Sequence, residues 1–234
     1  MDYRHLFIDL DDTLWDTHGN NKACLRELYA DYDFGRYYTS FDTFYQIFSP
    51  YNDMLWTKYR RSELTKDELL YERFRFILSP LGITDREQVL SINKDFLRRT
   101  TLKTGTVPGA MALLHILQER GFRMHILSNG FCEVQYLKME RAGLSPFFET
   151  VVLSEDAGVQ KPDKAFFEYA LARCKVRKEE VLMIGDSFEA DIQGAHNAGI
   201  DQLWFNPKGG EPQGFTPTFE VARLTEISAL LVKD

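Results

Sequence analysis

Five short apolar runs constrain this chain more than any other feature: "HLFIDL" at 5–10, "RMHILSN" at 123–129, "TVVLS" at 150–154, "VLMIGD" at 181–186 and "QLWFN" at 202–206. Runs of this length, rich in β-branched and aromatic residues, read as buried strands. Helical patterns separate most of them. "VPGAMALLHILQERG" has Pro108 near its start and Gly121 at its end, as a helix between its end signals should. "PDKAFFEYALARC" opens with Pro162 in a first-turn position, and "ADIQGAHNAG" closes on Gly199. Strands alternating with helices predict an α/β chain with a doubly wound parallel sheet.

The stretch from 16 to 100 breaks this alternation and holds no convincing buried strand. In "TKDELLYERFRFILSPLG", Thr65 and Glu68 stand at capping-box spacing, and Leu70, Phe74, Ile77 and Leu81 share one helical face. "TDREQVLSINKDFL" repeats the device with Thr84 and Glu87, followed by Val89, Ile92 and Phe96. The expected organisation is a core at 1–15 and 101–234 with a helical domain at 16–100 inserted after the first strand. No internal repeat or low-complexity segment is present.

The chain has 234 residues, of which 44% are hydrophobic, ample for a buried core. Its net charge is −7 and no basic stripe occurs, which argues against a nucleic acid polymer as partner. Cys24, Cys132 and Cys174 are far apart and form no CxxC pair, so neither a zinc knuckle nor a disulfide framework is indicated. "MDYRHLFIDL" lacks the apolar core of a signal peptide, and no run approaches the ~20 apolar residues of a membrane helix. A soluble cytoplasmic protein with no membrane partner, a monomer or weak homodimer, is expected.

In open α/β sheets, ligands bind beyond the carboxyl ends of the strands. Asp9 and Asp11 lie at the end of the first strand, Ser128 and Asn129 end the second, Asp186 ends "VLMIGD", and Lys161 precedes the helix near Pro162. These features should meet at one edge. Clustered carboxylates repel one another and need a cation, and an all-oxygen set suits Mg²⁺, with Asp9 and Asp186 as side-chain ligands. Ser128, Lys161 and the loop amides suit an anion with several oxygens, above all phosphate. A metal beside a phosphate site with a free carboxylate describes phosphoryl transfer. Asp9 could attack phosphorus to give an aspartyl-phosphate. Asp11 could serve the leaving oxygen and then the attacking water. It would have to start protonated: Asp9, Asp186 and Asp191 should push its pKa up, with the metal and Lys161 pushing the other way.

"DLDDT" at 9–13, "SN" at 128–129, "KP" at 161–162 and "GDSFEAD" at 185–191 resemble, in order, the four motifs of the haloacid dehalogenase-like hydrolases. The resemblance implies a Rossmann-like core with a mobile helical cap of the first type. It implies Asp9 as nucleophile and metal ligand, and Asp11 as acid and base with its main-chain carbonyl on the metal. Ser128, Asn129 and Lys161 would hold phosphate, Asp186 would bind Mg²⁺, and Thr13 and Asp191 would support these groups from behind. "DLDDTLWD", "LWTKYRRSELTKDELLYERF", "SEDAGVQKP" and "WFNP" are similar to bacterial pyrimidine 5′-nucleotidases that act on non-canonical nucleotides.

The implied activity is a Mg²⁺-dependent phosphomonoesterase acting on a small phosphorylated metabolite, foremost a pyrimidine nucleoside 5′-monophosphate. Three alternatives stand beside it: a sugar-phosphate or general small-molecule phosphatase, with phosphomutase activity as a variant; a haloacid dehalogenase; and a catalytically silent binding module. A dehalogenase needs no acid two residues after its nucleophile, so Asp11 speaks against it. Asp12 reads as a turn former. Trp15, Trp56 and Tyr59 could line a base pocket or simply pack. The five histidines form no metal-binding spacing.

Overall fold

The computed structural model describes residues 3–231. Six strands form one parallel sheet in the order β3-β2-β1-β4-β5-β6: β1 (His5–Ile8), β2 (Arg123–Ser128), β3 (Phe148–Leu153), β4 (Val181–Gly185), β5 (Asp201–Phe205) and β6 (Phe219–Val221). This is a doubly wound, Rossmann-like α/β core. Five strands fall on the five apolar runs. The sixth, "FEV", is three residues long at the sheet edge, too short to give a periodic signal.

The strands read as continuously apolar because both faces of the sheet are covered. Leu6 and Ile8 of β1 pack on one side with Leu113, Leu114 and Leu117 of α5 (Ala110–Glu119). Phe7, between them, packs on the other side with Phe166, Phe167 and Ala170 of α8 (Lys164–Cys174). That helix starts two residues later than the sequence suggests. Asp163 caps it by accepting from the Ala165 N–H at 2.8 Å, and Pro162 stays in the loop.

The chain divides into two compact units, one formed by His18–Lys103 and the other by the chain on either side of it. The first is helical: α1 (Thr17–Asp31), α2 (Phe41–Arg60), α3 (Lys66–Leu78) and α4 (Arg86–Thr100). Its core is aromatic, with Phe34, Phe44, Phe48, Phe74 and Phe96 in mutual contact. The Thr65–Glu68 capping box forms as expected, a device worth roughly 1 kcal/mol. The cap of α4 is Asp85, not Thr84: its carboxylate accepts from the Gln88 N–H at 2.9 Å. The buried face of α3 is also displaced from the expected one. It runs through Leu69, Arg73, Phe74, Ile77 and Leu78, while Leu70 and Leu81 are half-buried.

The remaining helices are α6 (Cys132–Arg141), α7 (Ser154–Ala157), α9 (Gly194–Asn197) and α10 (Ile227–Leu231). Among the described residues no helix is long and apolar enough to cross a membrane.

Candidate active site

β1 pairs with β2 and β4 in register, Ile8 opposite both Ile126 and Ile184. The loops that leave these strands therefore start from one edge. The strand order reverses between β1 and β4, and a doubly wound sheet opens its ligand crevice at such a point. Asp9 and Asp186 flank it.

The loop after β1 is built on alternating burial. Leu10, Leu14 and Trp15 are plugged into the core. The Leu14 and Trp15 N–H groups both donate to Leu10 O, at 3.0 and 2.9 Å, and Asp12 N–H donates to Trp15 O at 2.8 Å. Asp12 adopts the left-handed conformation, φ 61°, which Asp tolerates better than most residues and which closes the turn. Trp15 is fully buried and packs into the core beside the sheet. With Leu10 inside, Asp9 and Asp11 are left on the site edge.

Lys161 organises the centre. Only 2% exposed, its Nζ donates to Asp9 Oδ1 at 2.6 Å, to Asp191 Oδ1 at 2.6 Å and to Leu127 O at 2.7 Å. Its main chain is fixed by Asn129, whose amide donates to Lys161 O and accepts from Lys161 N–H, both at 2.9 Å. The side chain of Asn129 is thus spent on the loop, not turned toward a ligand. The Lys161–Pro162 bond is cis. Asp9 Oδ2 has no hydrogen-bond donor among the described residues. Burial drives the Asp9 carboxyl well above the usual range; Lys161 opposes this, and Asp191, Asp186 and Asp11 add to it.

Ser128 Oγ accepts from Gly130 N–H at 3.0 Å and from Gln135 Nε2 at 2.7 Å, and donates to no described residue. Its own proton remains for a ligand acceptor. A Cβ at position 130 would strike the Gln135 side chain, which explains glycine there.

Asp186 is held by Thr13, whose hydroxyl donates to Asp186 Oδ1 at 3.2 Å and accepts from Asp186 N–H at 3.1 Å. Trp204 Nε1 donates to Asp186 O at 2.9 Å. Burial and the charges of Asp191 and Asp12 push the Asp186 carboxyl up to about 7, against Thr13 and Lys161. Asp191 lies in a π-helical turn, Phe188–Gln193, and both its oxygens are engaged, by Lys161 and by the Ser187 N–H at 3.1 Å. A Cβ at Gly185 would occupy the space of that carboxylate.

Ligand oxygens of Asp9, Asp186 and Asp191 lie within 4.8 Å of one another. Two buried carboxylates and the half-buried Asp186 against one ammonium leave an excess of negative charge, which adds to burial in raising the Asp9 and Asp186 carboxyls. A hard divalent cation taking oxygen ligands fits this set. Asp9 and Asp186 each keep an uncommitted oxygen for it, whereas Asp191 keeps none.

Asp11 departs from expectation. Its Oδ1 accepts from Thr17 Oγ1 and Lys138 Nζ, both at 2.8 Å, and its Oδ2 accepts from Gln135 Nε2 at 2.6 Å. Burial pushes the carboxyl up, but the Lys138 charge and the hydrogen bonds from Lys138, Gln135 and Thr17 pull it below the usual carboxylate range. The acidic neighbours visible in the sequence point the other way, and the donors from α6 outweigh them. The ammonium of Lys138 also lies 4.2 Å from the centre of the Trp15 ring.

Thr17, Gln135, Lys138 and Trp204 were not singled out from the sequence. One signal for two of them existed. Gln135 and Lys138 stand three residues apart on the stripe of α6 that also buries Val134 and Met139, and polar groups on a buried stripe have partners to meet.

Comparison with known proteins agrees with this geometry. The family model of the haloacid dehalogenase-like hydrolases matches residues 3–199. Pyrimidine 5′-nucleotidase YjjG of Escherichia coli is 32% identical over 235 residues, covering 100% of both chains. Pyrimidine 5′-nucleotidase PynA of Streptococcus pneumoniae is 32% identical over 236 residues, covering 100% of this chain and 97% of the other. The HAD-hydrolase YfnB of Bacillus subtilis, in a crystal structure bound to magnesium, superposes with a TM-score of 0.87 at 32% identity over 99% of each chain. The chain belongs to the haloacid dehalogenase-like hydrolase family.

Proposed function

We propose that this hydrolase releases inorganic phosphate from small phosphate monoesters, foremost pyrimidine nucleoside 5′-monophosphates. Asp9 Oδ2 is its nucleophile, and Asp9, Asp186 and the main-chain carbonyl of Asp11 would hold Mg²⁺. The observation that carries this reading is the division of labour on Asp9. Lys161 fixes Oδ1 at 2.6 Å while Oδ2 has no donor, so one oxygen is anchored and the other is available to attack. Similarity to two pyrimidine 5′-nucleotidases along the whole chain supports the choice of leaving group.

In this scheme Ser128 donates its hydroxyl proton to a phosphoryl oxygen, and the Lys161 ammonium neutralises the transferring group from below. Asp9 Oδ2 forms a bond to phosphorus as the ester P–O bond breaks, and the leaving oxygen takes a proton from Asp11. Water then attacks phosphorus, gives its proton to Asp11, and frees Asp9 and phosphate. Mg²⁺, when bound, draws charge from the phosphoryl oxygens and offsets the clustered carboxylates. The hydrogen bonds around Asp11 favour its ionised form and so suit the second step directly. For the first step the carboxyl must carry a proton, which loosening of the Lys138 pair would promote. Thr13, Trp204 and Asn129 position the groups that react without touching the substrate.

The test is kcat/KM for UMP, dUMP, dTMP, AMP and several sugar phosphates, with Mg²⁺ and in EDTA. The pyrimidine nucleotides should lead with Mg²⁺ and EDTA should abolish turnover. A sugar phosphate leading by about tenfold, a difference of about 1.4 kcal/mol, would replace the nucleotide with a sugar phosphate at the same chemistry.

A further inference from the structure

The helical unit contains a buried cation with no carboxylate to pair with among the described residues. Arg73, in the middle of α3, is 2% exposed and has no carboxylate partner and no hydrogen bond among the described residues. Its Nε–H is buried without an acceptor. Its guanidinium lies against two aromatic rings instead, 5.6 Å from the centres of both Trp56 and Phe96. Burial alone pulls its pKa down to about 10. An unpaired buried charge is among the costliest things a fold can hold.

A second orphan lies on α4, the helix packed against α3. Asn93 is 3% exposed and stands one turn before Phe96 on the same buried face of α4, with its Oδ1 lacking any donor. The Arg73 donor and the Asn93 acceptor do not satisfy each other, although that pairing would be chemically complementary. Tyr59 meets Trp56 edge-on, ring centres 5.7 Å apart at 79°. Donor, acceptor and flat apolar walls are thus gathered within a single unit.

We propose that Trp56, Tyr59, Arg73, Asn93 and Phe96 form a recognition site for the hydrogen-bonding edge of a pyrimidine base, Arg73 donating to a ring carbonyl and Asn93 pairing with the adjacent ring nitrogen. A second phosphate or a carboxylate would satisfy Arg73 but leave the Asn93 oxygen unmet. An apolar leaving group would satisfy neither. A ring presenting a carbonyl beside a nitrogen answers both, and its faces suit the aromatic walls. This inference rests on the nucleotide reading and adds the residues that would recognise the base.

The experiment compares UMP with ribose 5-phosphate, which differs from it by the absence of the base. Both are assayed on the full-length enzyme with Mg²⁺, for wild type, Arg73→Met, Arg73→Lys and Asn93→Ser. Uridine is added as an inhibitor of ribose 5-phosphate hydrolysis. In wild type, UMP should lead and uridine should compete. In Arg73→Met and Asn93→Ser the ratio of kcat/KM for UMP to that for ribose 5-phosphate should fall by about tenfold or more, through KM, and uridine inhibition should weaken in parallel. Arg73→Lys should recover part of the ratio. A wild type with no preference for UMP overturns the nucleotide reading and this site with it. A wild type that prefers UMP, with the ratio unmoved in the Arg73 and Asn93 variants, overturns this site alone. Arg73 would then be a packing residue, and a fall in melting temperature without a change in ratio would say the same. If Arg73→Met does not fold, the ratio in Asn93→Ser and Arg73→Lys decides.

Discussion

Lys138 Nζ and Asp11 Oδ1 form an ion pair at 2.8 Å, and the pair sits over the Trp15 ring with Lys138 only 6% exposed. This contact fixes the carboxylate that follows Asp9 by two residues. Lys138→Met should lower kcat by about 100-fold with little change in KM, because Asp11 loses its position while Ser128 and Lys161 keep theirs. Loss of the positive charge raises the Asp11 pKa, so whichever limb of the pH–rate profile Asp11 sets should move to higher pH. Lys138→Arg should restore most of the rate. A KM effect with an unmoved profile would mean that Lys138 serves the fold only.

Lys161 neutralises two buried carboxylates at once. Removing it leaves both uncompensated, which for a buried pair costs about 3–5 kcal/mol. Lys161→Ala should therefore lose both activity and stability, read by urea denaturation in EDTA. Adding Asp191→Asn should return part of the stability and none of the activity. If the single and double variants are equally stable, the charge argument is wrong.

Gly185 shows how closely the sheet edge is built. Any Cβ there meets the Asp191 carboxylate. Gly185→Ala should displace Asp191 from Lys161 and reduce turnover at least about tenfold, with a loss of stability of about 1–3 kcal/mol from overpacking. Unchanged kinetics would show that Asp191 can move without consequence.

The Asp186 carboxyl, pushed up to about 7, would make Mg²⁺ binding at the carboxylate cluster depend on pH. A carboxyl whose pKa is higher in the folded chain than in the unfolded one stabilises the fold while it is protonated. That contribution is lost as pH rises from about 4 through about 7. Mg²⁺ needs the ionised form and must displace the proton. Thermal denaturation with and without Mg²⁺ should thus give a larger stabilisation at pH 8 than at pH 6. The metal-free protein should be the less stable at the higher pH as far as this group is concerned. A Mg²⁺ effect independent of pH would exclude Asp186 as a ligand.

The parallel core was legible because buried strands must be apolar on both faces, as Leu6, Phe7 and Ile8 are. β6 was not, since three residues at a sheet edge leave no pattern. Asp9, Asp11, Ser128 and Asp186 could be placed at one edge because each lies at or just past a strand end, and Lys161 because it stands in the loop before a helix. What they do to one another could not be read. Gln135 and Lys138 reach Asp11 from a helix more than a hundred positions away, and no local spacing records that contact. Thr84 and Asp85 were indistinguishable as caps by type, and only the backbone turn selects Asp85. Arg73 was hidden for the opposite reason: in a helix carrying several charges it reads as a solvated residue, and only the packing of the helical unit buries it.

The central claim is that phosphate passes through Asp9. Sodium borohydride reduces an aspartyl acyl-phosphate to homoserine. The enzyme is quenched with borohydride during turnover of UMP with Mg²⁺, and the peptide carrying residue 9 is analysed by mass spectrometry. Homoserine at position 9, present with substrate and absent without it and in Asp9→Asn, is the expected result. Sustained turnover with aspartate intact at position 9 in every such sample, or full activity in Asp9→Asn, would contradict the claim.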